Sequence, residues 1–181
     1  MTTQEPTIDG LEGWISLPVE LEGAALRGAV REQLPQASDD TLDALVELAA
    51  ANLRLATTTN SLVAAQWARF DTPFQLFPDA LASLRVVPTP EPADVTSFVA
   101  TMLAGETVVT PPVLQPVETG SGSAYHVAWV SEDGPAQSCV DGVIWLRETF
   151  VLWLSCVSGD VEAGPRRSAE AIQLAQGVRG V

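Results

Sequence analysis

The chain has 181 residues, 46% hydrophobic and 18% charged, which is the profile of one globular domain and not of a disordered chain. Its 23 acidic residues stand against nine arginines and no lysine, and the net charge of −14 argues against binding nucleic acid or anionic lipid. Two explanations of the acidity stay open. It serves a basic partner, as in a nucleic-acid mimic, or it reflects the coding bias of a GC-rich bacterium.

The termini and apolar runs predict where the chain resides. The longest apolar run, around Phe150 to Leu154, is far shorter than the ~20 residues of a membrane-spanning helix. The first ten residues have neither the positive charge nor the apolar run of a signal peptide, so a cytoplasmic protein is expected. Residues 1–13 are predicted to form a flexible tail, and residues 14–181 a single domain.

The N-terminal third predicts two helices. Residues 14–18 form a short apolar patch that can dock on the body of the domain. A first helix is expected over 21–34, ended by Pro35. Ser38 caps a second helix whose apolar residues recur at helical spacing as far as Leu53. The acids of its first turns (Asp39, Asp40, Asp43 and Glu47) are explained by the helix dipole and solvation.

Strands predominate in the remainder. Residues 62–70 and 81–87 predict two strands, and a helix with Val95, Val99 and Met102 on one face follows Pro90 and Pro92 and ends at Gly105. Two hairpins follow, 113–118 with 124–130 and 138–147 with 150–157. A final helix begins at Pro165, with Ala169, Ile172, Leu174 and Ala175 available for packing.

The second hairpin predicts its own register and position. A tight turn at Glu148–Thr149 places Arg147 opposite Phe150 and Asp141 opposite Cys156. Both faces of these strands are then apolar, which is typical of central strands covered on both sides by helices or by a second subunit. The expected fold is α+β: an antiparallel sheet of about five to six strands flanked by helices. Two of the helices precede the sheet and one closes the chain.

The candidate reactive groups are few. His126, the single histidine, is expected to be structural, although a Ser-His-Asp triad assembled from distant positions stays open. Asp141 sits within an apolar strand face, so it either has a raised pKa or pairs with an arginine such as Arg147 or Arg85, and pairing is favoured. Arg166 and Arg167 are expected to be a solvated pair, with binding of an anion or acidic partner as the alternative.

The remaining motifs predict no cofactor or metal site. Cys139 and Cys156 are expected to be buried free thiols, too few with one histidine for a closed zinc site. Residues 119–123 form a hairpin turn and not a phosphate cradle, because a strand follows them. The absence of lysine removes Schiff-base chemistry and the phosphate-binding lysines of nucleotide enzymes. No catalytic, cofactor-binding or metal-binding residue is therefore predicted.

The element order resembles the PsbP-like α+β fold. The segments that carry the likeness are AYHVAWVSEDG, SCVDGVIWLRETFVLWLSCVSG and the closing AEAIQLAQGV. The chain also resembles uncharacterised actinobacterial proteins that open with W-[IV]-x-[LI]-P, here Trp14 to Pro18. Members of this fold generally bind other proteins, so the resemblance implies an accessory role and supplies no site residues.

Three functions follow from these observations. The first is a non-catalytic binding or accessory protein that engages a protein partner or itself as a homodimer, through its sheet edge, its Trp14 segment or an apolar face. The second is a small-molecule-binding protein or hydrolase with a pocket between sheet and helices that uses His126 and Asp141. The third is an immunity or antitoxin-like protein that neutralises a basic partner. A pocket lined by His126 and Asp141 favours an enzyme, and a flat exposed tryptophan patch favours a partner-binding protein.

Overall fold

The core of the protein is an open antiparallel sheet with helices on both faces. The computed structural model describes residues 7–8, 12–72, 75–89, 94–133 and 135–179. The strands of the sheet, in chain order, are β2 (Trp14–Ser16), β3 (Leu62–Arg69), β4 (Ala80–Pro88), β5 (Thr107–Thr119), β6 (Gly122–Asp133), β7 (Ala136–Leu146) and β8 (Phe150–Ser158). Their spatial order is β2-β3-β4-β8-β7-β6-β5, and every neighbouring pair is antiparallel. The α+β class is therefore confirmed.

The helices are inserted between strands. They are α1 (Gly23–Gln33), α2 (Asp39–Thr58), α3 (Val95–Met102) and α4 (Gly164–Gly177). A short pair of strands, β1 (Thr7–Ile8) and β9 (Val178–Arg179), joins the two ends of the described chain. Most of the predicted tail 1–13, as well as Pro90 and Pro92, lies outside the described residues.

Two details of the expected fold are wrong. Within the described residues the main sheet has seven strands and not five or six, because Trp14–Ser16 also pairs with β3. Three residues are too few to show the alternation that reveals a strand in a sequence. As a result, α1 and α2 lie between the first and second strands, not before the whole sheet.

The strand β5 is also longer than expected. It begins at Thr107, six residues before the predicted start, and continues through Pro111 and Pro112. Prolines normally interrupt a strand, but here the register with β6 shifts between Val108 and Val113, which marks bulges on an edge strand.

Both predicted hairpins are present, and the register predicted for the second is confirmed, whereas the turn of the first is shorter than the expected loop 119–123. Thr119 pairs with Gly122 across a two-residue turn, so the Gly-Ser segment is a hairpin loop. Asp141 pairs with Cys156, and the Arg147 amide donates to the Phe150 carbonyl at 3.0 Å. These central strands bury both of their faces. One face of the sheet packs against α4 and is called the α4 face. The opposite face packs against α1, α2 and α3 and is called the α2/α3 face.

Local chemistry sets the helix positions. The Ser38 hydroxyl accepts a hydrogen bond from the Thr41 amide at 3.1 Å, which confirms the predicted cap of α2. The acids after it do more than complement the helix dipole, because Asp39 and Asp43 each lie 2.7 Å from the Arg27 guanidinium of α1. These ion pairs connect α1 to α2, but because they are exposed they contribute little to the free energy of unfolding.

The buried stripe of α4 differs from the prediction. Ala169 is exposed and Ile172 only half-buried, whereas Leu174 and Ala175 are buried as expected. The sheet-facing positions are Arg167, Glu170, Ala171, Leu174 and Ala175. Because Arg167 and Glu170 are charged, the buried positions of α4 do not show up as apolar residues at helical spacing in the sequence.

Candidate functional site

The predicted reactive residues meet in a buried cluster on the α4 face. Asp141 is 0% exposed, and its Oδ1 accepts a hydrogen bond from the Ser168 hydroxyl of α4. The same oxygen lies 3.2 Å from Nε2 of His126, and the Cys139 thiol donates to Oδ2 at 3.3 Å. The expected pairing of Asp141 with an arginine is wrong. Arg85 is opposite Trp153 in the β4–β8 ladder, and this register puts it on the other face of the sheet.

The arrangement of this cluster is not that of a nucleophile and its base. In a catalytic triad the histidine lies between the serine and the acid. Here Asp141 lies in the middle and binds both Ser168 and His126. The bond from Ser168 to Asp141 ties α4 to β7, an inner strand of the sheet.

The adjoining arginines form a second buried network. Arg167 is 1% exposed and donates at 2.7 Å both to Glu170 and to Asp71, a residue that follows β3. Arg166 donates to the same Asp71 oxygen at 2.6 Å. Burial by itself lowers the pKa of Arg167, but the bonds to Glu170 and Asp71 outweigh it and leave that pKa raised. The expectation of a solvated pair is therefore wrong for Arg167, which joins α4 to the end of β3.

The cysteines and tryptophans are internal. Cys139 and Cys156 are free and buried, as predicted, and burial is the main cause that raises the pKa of each thiol to about 12. Each of the five tryptophans is at most 7% exposed. Trp14 packs with Trp67 in the core of the α4 face, so its indole is not a free anchor for a partner.

The opposite face of the sheet contains a groove between α2 and α3. Its first part, the α2 cavity, has a volume of about 310 Å³ and lies over β3, β4 and β8. Its second part, the α3 cavity, has a volume of about 430 Å³ and extends along Trp153 to Phe98 and Met102 of α3. Arg85 and Leu55 line both parts. We call the two cavities together the Arg85 groove.

The floor of the α2 cavity is a polar row in strands that are otherwise apolar. Gln66 pairs with Ser83, and Ser83 pairs with Ser155, so these residues lie side by side across three strands. The two serine hydroxyls are 3.0 Å apart and satisfy each other. The walls around them are mainly aliphatic, formed by Leu48, Leu55, Leu81 and Val157.

Arg85 and Gln66 leave donors without acceptors in this groove. Asn52 of α2 accepts from Arg85 through Oδ1 and donates to Gln66 Oε1 at 3.0 Å, and so links the two side chains. Arg85 Nε and Gln66 Nε2 are nevertheless buried without a hydrogen-bond partner. Within the part of the chain that the structure describes, no carboxylate lies within 4 Å of the Arg85 guanidinium. Burial lowers the pKa of Arg85, because the cation is taken from water without a counter-charge.

Reasoning from the sequence missed this groove. It considered Arg85 only as a partner for Asp141, and it did not single out Asn52 or Gln66. The available signal was a polar residue inside an apolar strand, Gln66 in LVAAQWAR and Arg85 in ALASLRVVP. Joining the two required the pairing of β3 with β4 and the position of α2, which no local pattern gives.

Comparisons with known proteins identify no relative that would assign a function to this site. No protein-family model matches the sequence, and no curated protein matches it either. Among residues 7–8, 12–72, 75–89, 94–133 and 135–179, no helix is both long and apolar enough to cross a bilayer. Nor does this part of the chain gather three histidine, cysteine or acidic side chains in a group that could hold a metal ion.

Proposed function

We propose that this protein is a non-catalytic binding protein and that its ligand is a small molecule held in the Arg85 groove. The observation that carries the proposal is the pair of buried, unpartnered donors, Arg85 Nε and Gln66 Nε2, on two side chains that line an apolar cleft. A buried donor without an acceptor costs about 1–3 kcal/mol, and a ligand that supplies the acceptor recovers it. Ligand sites typically combine apolar walls with a few such polar groups in a volume of about 300–1,000 Å³.

A binding role is favoured over catalysis because the reactive side chains are elsewhere. His126 and Asp141 lie on the α4 face, and neither lines the groove on the opposite face. The groove itself presents an arginine, two amides and two hydroxyls that bond to each other. The α3 cavity adds the Glu106 carboxylate and three further hydroxyls. Among the described residues the groove hydroxyls bond to each other or to main-chain carbonyls and not to this carboxylate, so none is paired with a base as an activated nucleophile is.

A small ligand is favoured over a protein partner by the shape of the site. Arg85 and Gln66 line a cleft and not a flat surface, and concave sites of this kind are typical of small ligands. Trp14, the tryptophan expected to serve as an anchor, is in the core. A cytoplasmic location and a homodimer stay predictions of the sequence.

Binding of a neutral apolar fluorophore tests the proposal. N-phenylnaphthylamine is titrated into the wild type and into Val157→Trp, where the indole fills the mouth of the α2 cavity from a residue that is 39% exposed. We expect saturable one-site binding by the wild type and a loss of at least about tenfold in Val157→Trp. The matched control is Val113→Trp, because Val113 is 53% exposed on edge strand β5 and is outside the groove. Absence of saturable binding, or equal loss in both variants, overturns the proposal.

A further inference from the structure

We infer that the ligand of the Arg85 groove is a monocarboxylate with an apolar chain of up to about fourteen carbons, an inference that rests on the proposed function. Its carboxylate is bound by the Arg85 guanidinium and the Gln66 amide, and its chain lies in the α3 cavity. Charge, hydrogen-bond geometry and cavity size each point to this class of ligand.

The charge of the site selects a single negative group. The whole chain carries a net charge of −14, yet Arg85 is half-buried in the groove without a carboxylate partner in the described structure. Glu106 also lines the α3 cavity, but it accepts a hydrogen bond from Trp129 Nε1 at 3.3 Å and forms no ion pair with Arg85. One guanidinium balances one negative charge, so a monoanion fits and a dianion such as a phosphate monoester does not. A cationic head group beside Arg85 is repelled.

The donors of the site match a carboxylate. A guanidinium presents its N–H groups in a planar fork that binds both oxygens of a carboxylate. The Gln66 side chain, 3% exposed, adds a second unpartnered donor, and Asn52 holds it close to Arg85. A neutral alcohol can also accept hydrogen bonds from these donors, but it brings no charge to balance the guanidinium.

The position of Arg85 determines where the carboxylate and the apolar chain of the ligand lie. Because Arg85 lines both cavities, a carboxylate bound to it sits at their junction. From there the α3 cavity extends between strand and helix residues that are largely apolar: Val87, Phe98, Met102 and Trp153. Its volume of about 430 Å³ has room for at most about fourteen groups of about 30 Å³ each, which is an upper bound on the chain length.

Displacement of the bound neutral fluorophore by four twelve-carbon compounds tests the inference. They are dodecanoate, dodecanol, dodecyltrimethylammonium and dodecyl phosphate, each used below its micelle concentration. With the wild type we expect dodecanoate to bind at least about tenfold more tightly than the other three, the difference that a hydrogen-bonded charge makes. Equal binding of dodecanol, or tighter binding of dodecyl phosphate, overturns the inference and leaves the proposed function standing.

Variants of the arginine localise the effect. Arg85→Met keeps the length and apolar stem of the side chain, and it should weaken dodecanoate by at least about tenfold while dodecanol changes little. Arg85→Lys keeps the charge without the fork and should retain part of the preference. The control Arg54→Met makes the same change in net charge on an exposed part of α2 and should leave dodecanoate binding unchanged. If Arg54→Met weakens it as much as Arg85→Met, the effect is one of net charge and the inference fails. If none of the four compounds displaces a fluorophore that binds in the groove, the inference fails and the proposed function stands; if the fluorophore itself does not bind saturably, both fail.

Discussion

Substitution of Gly142 tests how tightly the centre of the sheet is packed beneath the groove. Gly142 lies in β7 on the α2/α3 face, opposite Ser155 and next to the indole of Trp153. A Cβ atom added there would overlap the Trp153 ring and the carbonyl oxygen of Leu154. The ring also stacks on Trp129, with 6.2 Å between centroids and 15° between planes, and it lines the α3 cavity.

The expected cost of Gly142→Ala follows from these contacts. Overpacking a core costs about 1–3 kcal/mol, and displacement of the Trp153 ring loses about 0.5–1.5 kcal/mol of aromatic pairing. Alanine recovers about 0.5–1 kcal/mol through its lower backbone entropy in the unfolded chain. The net loss of unfolding free energy is about 2 kcal/mol, which is about 4–8 °C in Tm for a chain of this size.

Urea unfolding followed by far-UV circular dichroism measures this loss. Gly159→Ala is the control, because a Cβ at Gly159 meets nothing within 4 Å, and we expect a change within about 0.5 kcal/mol there. Near-UV circular dichroism should show the Trp129–Trp153 pair altered in Gly142→Ala alone. A loss below about 0.5 kcal/mol in Gly142→Ala, or equal to that of the control, would refute the packing described for this site.

Two further predictions concern ionisation. Burial tends to raise the pKa of Asp71, but the hydrogen bond from Arg167 and its charge outweigh this and leave the pKa lowered. The stability that the carboxylate contributes is present above its unfolded pKa and lost as the pH falls through its folded pKa. The gap in unfolding free energy between the wild type and Asp71→Asn should thus be constant above about pH 5 and shrink below about pH 4, and a gap unchanged at pH 3 would contradict this. Cys139 and Cys156, each with a pKa of about 12, should resist a thiol reagent at pH 8 until urea unfolds the chain. Rapid labelling of the native protein at either position would show that its thiol is accessible.

The sequence predicted those parts of the fold that depend on local patterns. The register of the β7–β8 hairpin follows from one tight turn and from the alternation of side chains between the two faces of a strand. The observed pairing of Asp141 with Cys156 matches this predicted register. The cap of α2 follows from Ser38 and the acids after it. Both features depend on neighbours in the chain, so a window of a few residues contains the necessary information.

The site could not be predicted in the same way. Arg85 and Asp141 were placed together because both are charged residues in apolar strands, but β4 presents Arg85 to one face and β7 presents Asp141 to the other. The partner of Asp141 on the helix, Ser168, is 27 residues away on α4, and Asn52, which accepts from Arg85, is 33 residues away on α2. These contacts depend on how the helices cross the sheet, which the spacing of residues along the chain does not encode.

The prolines of β5 determine how the sheet ends. Pro111, Pro112 and Pro116 lie on the outermost strand, and none of them has an amide hydrogen to offer an incoming chain. At the opposite border, β2 spans only three residues. Neither edge strand offers an uninterrupted row of backbone hydrogen-bonding groups to another chain. This apolar sheet should therefore resist edge-to-edge aggregation into fibrils at high concentration.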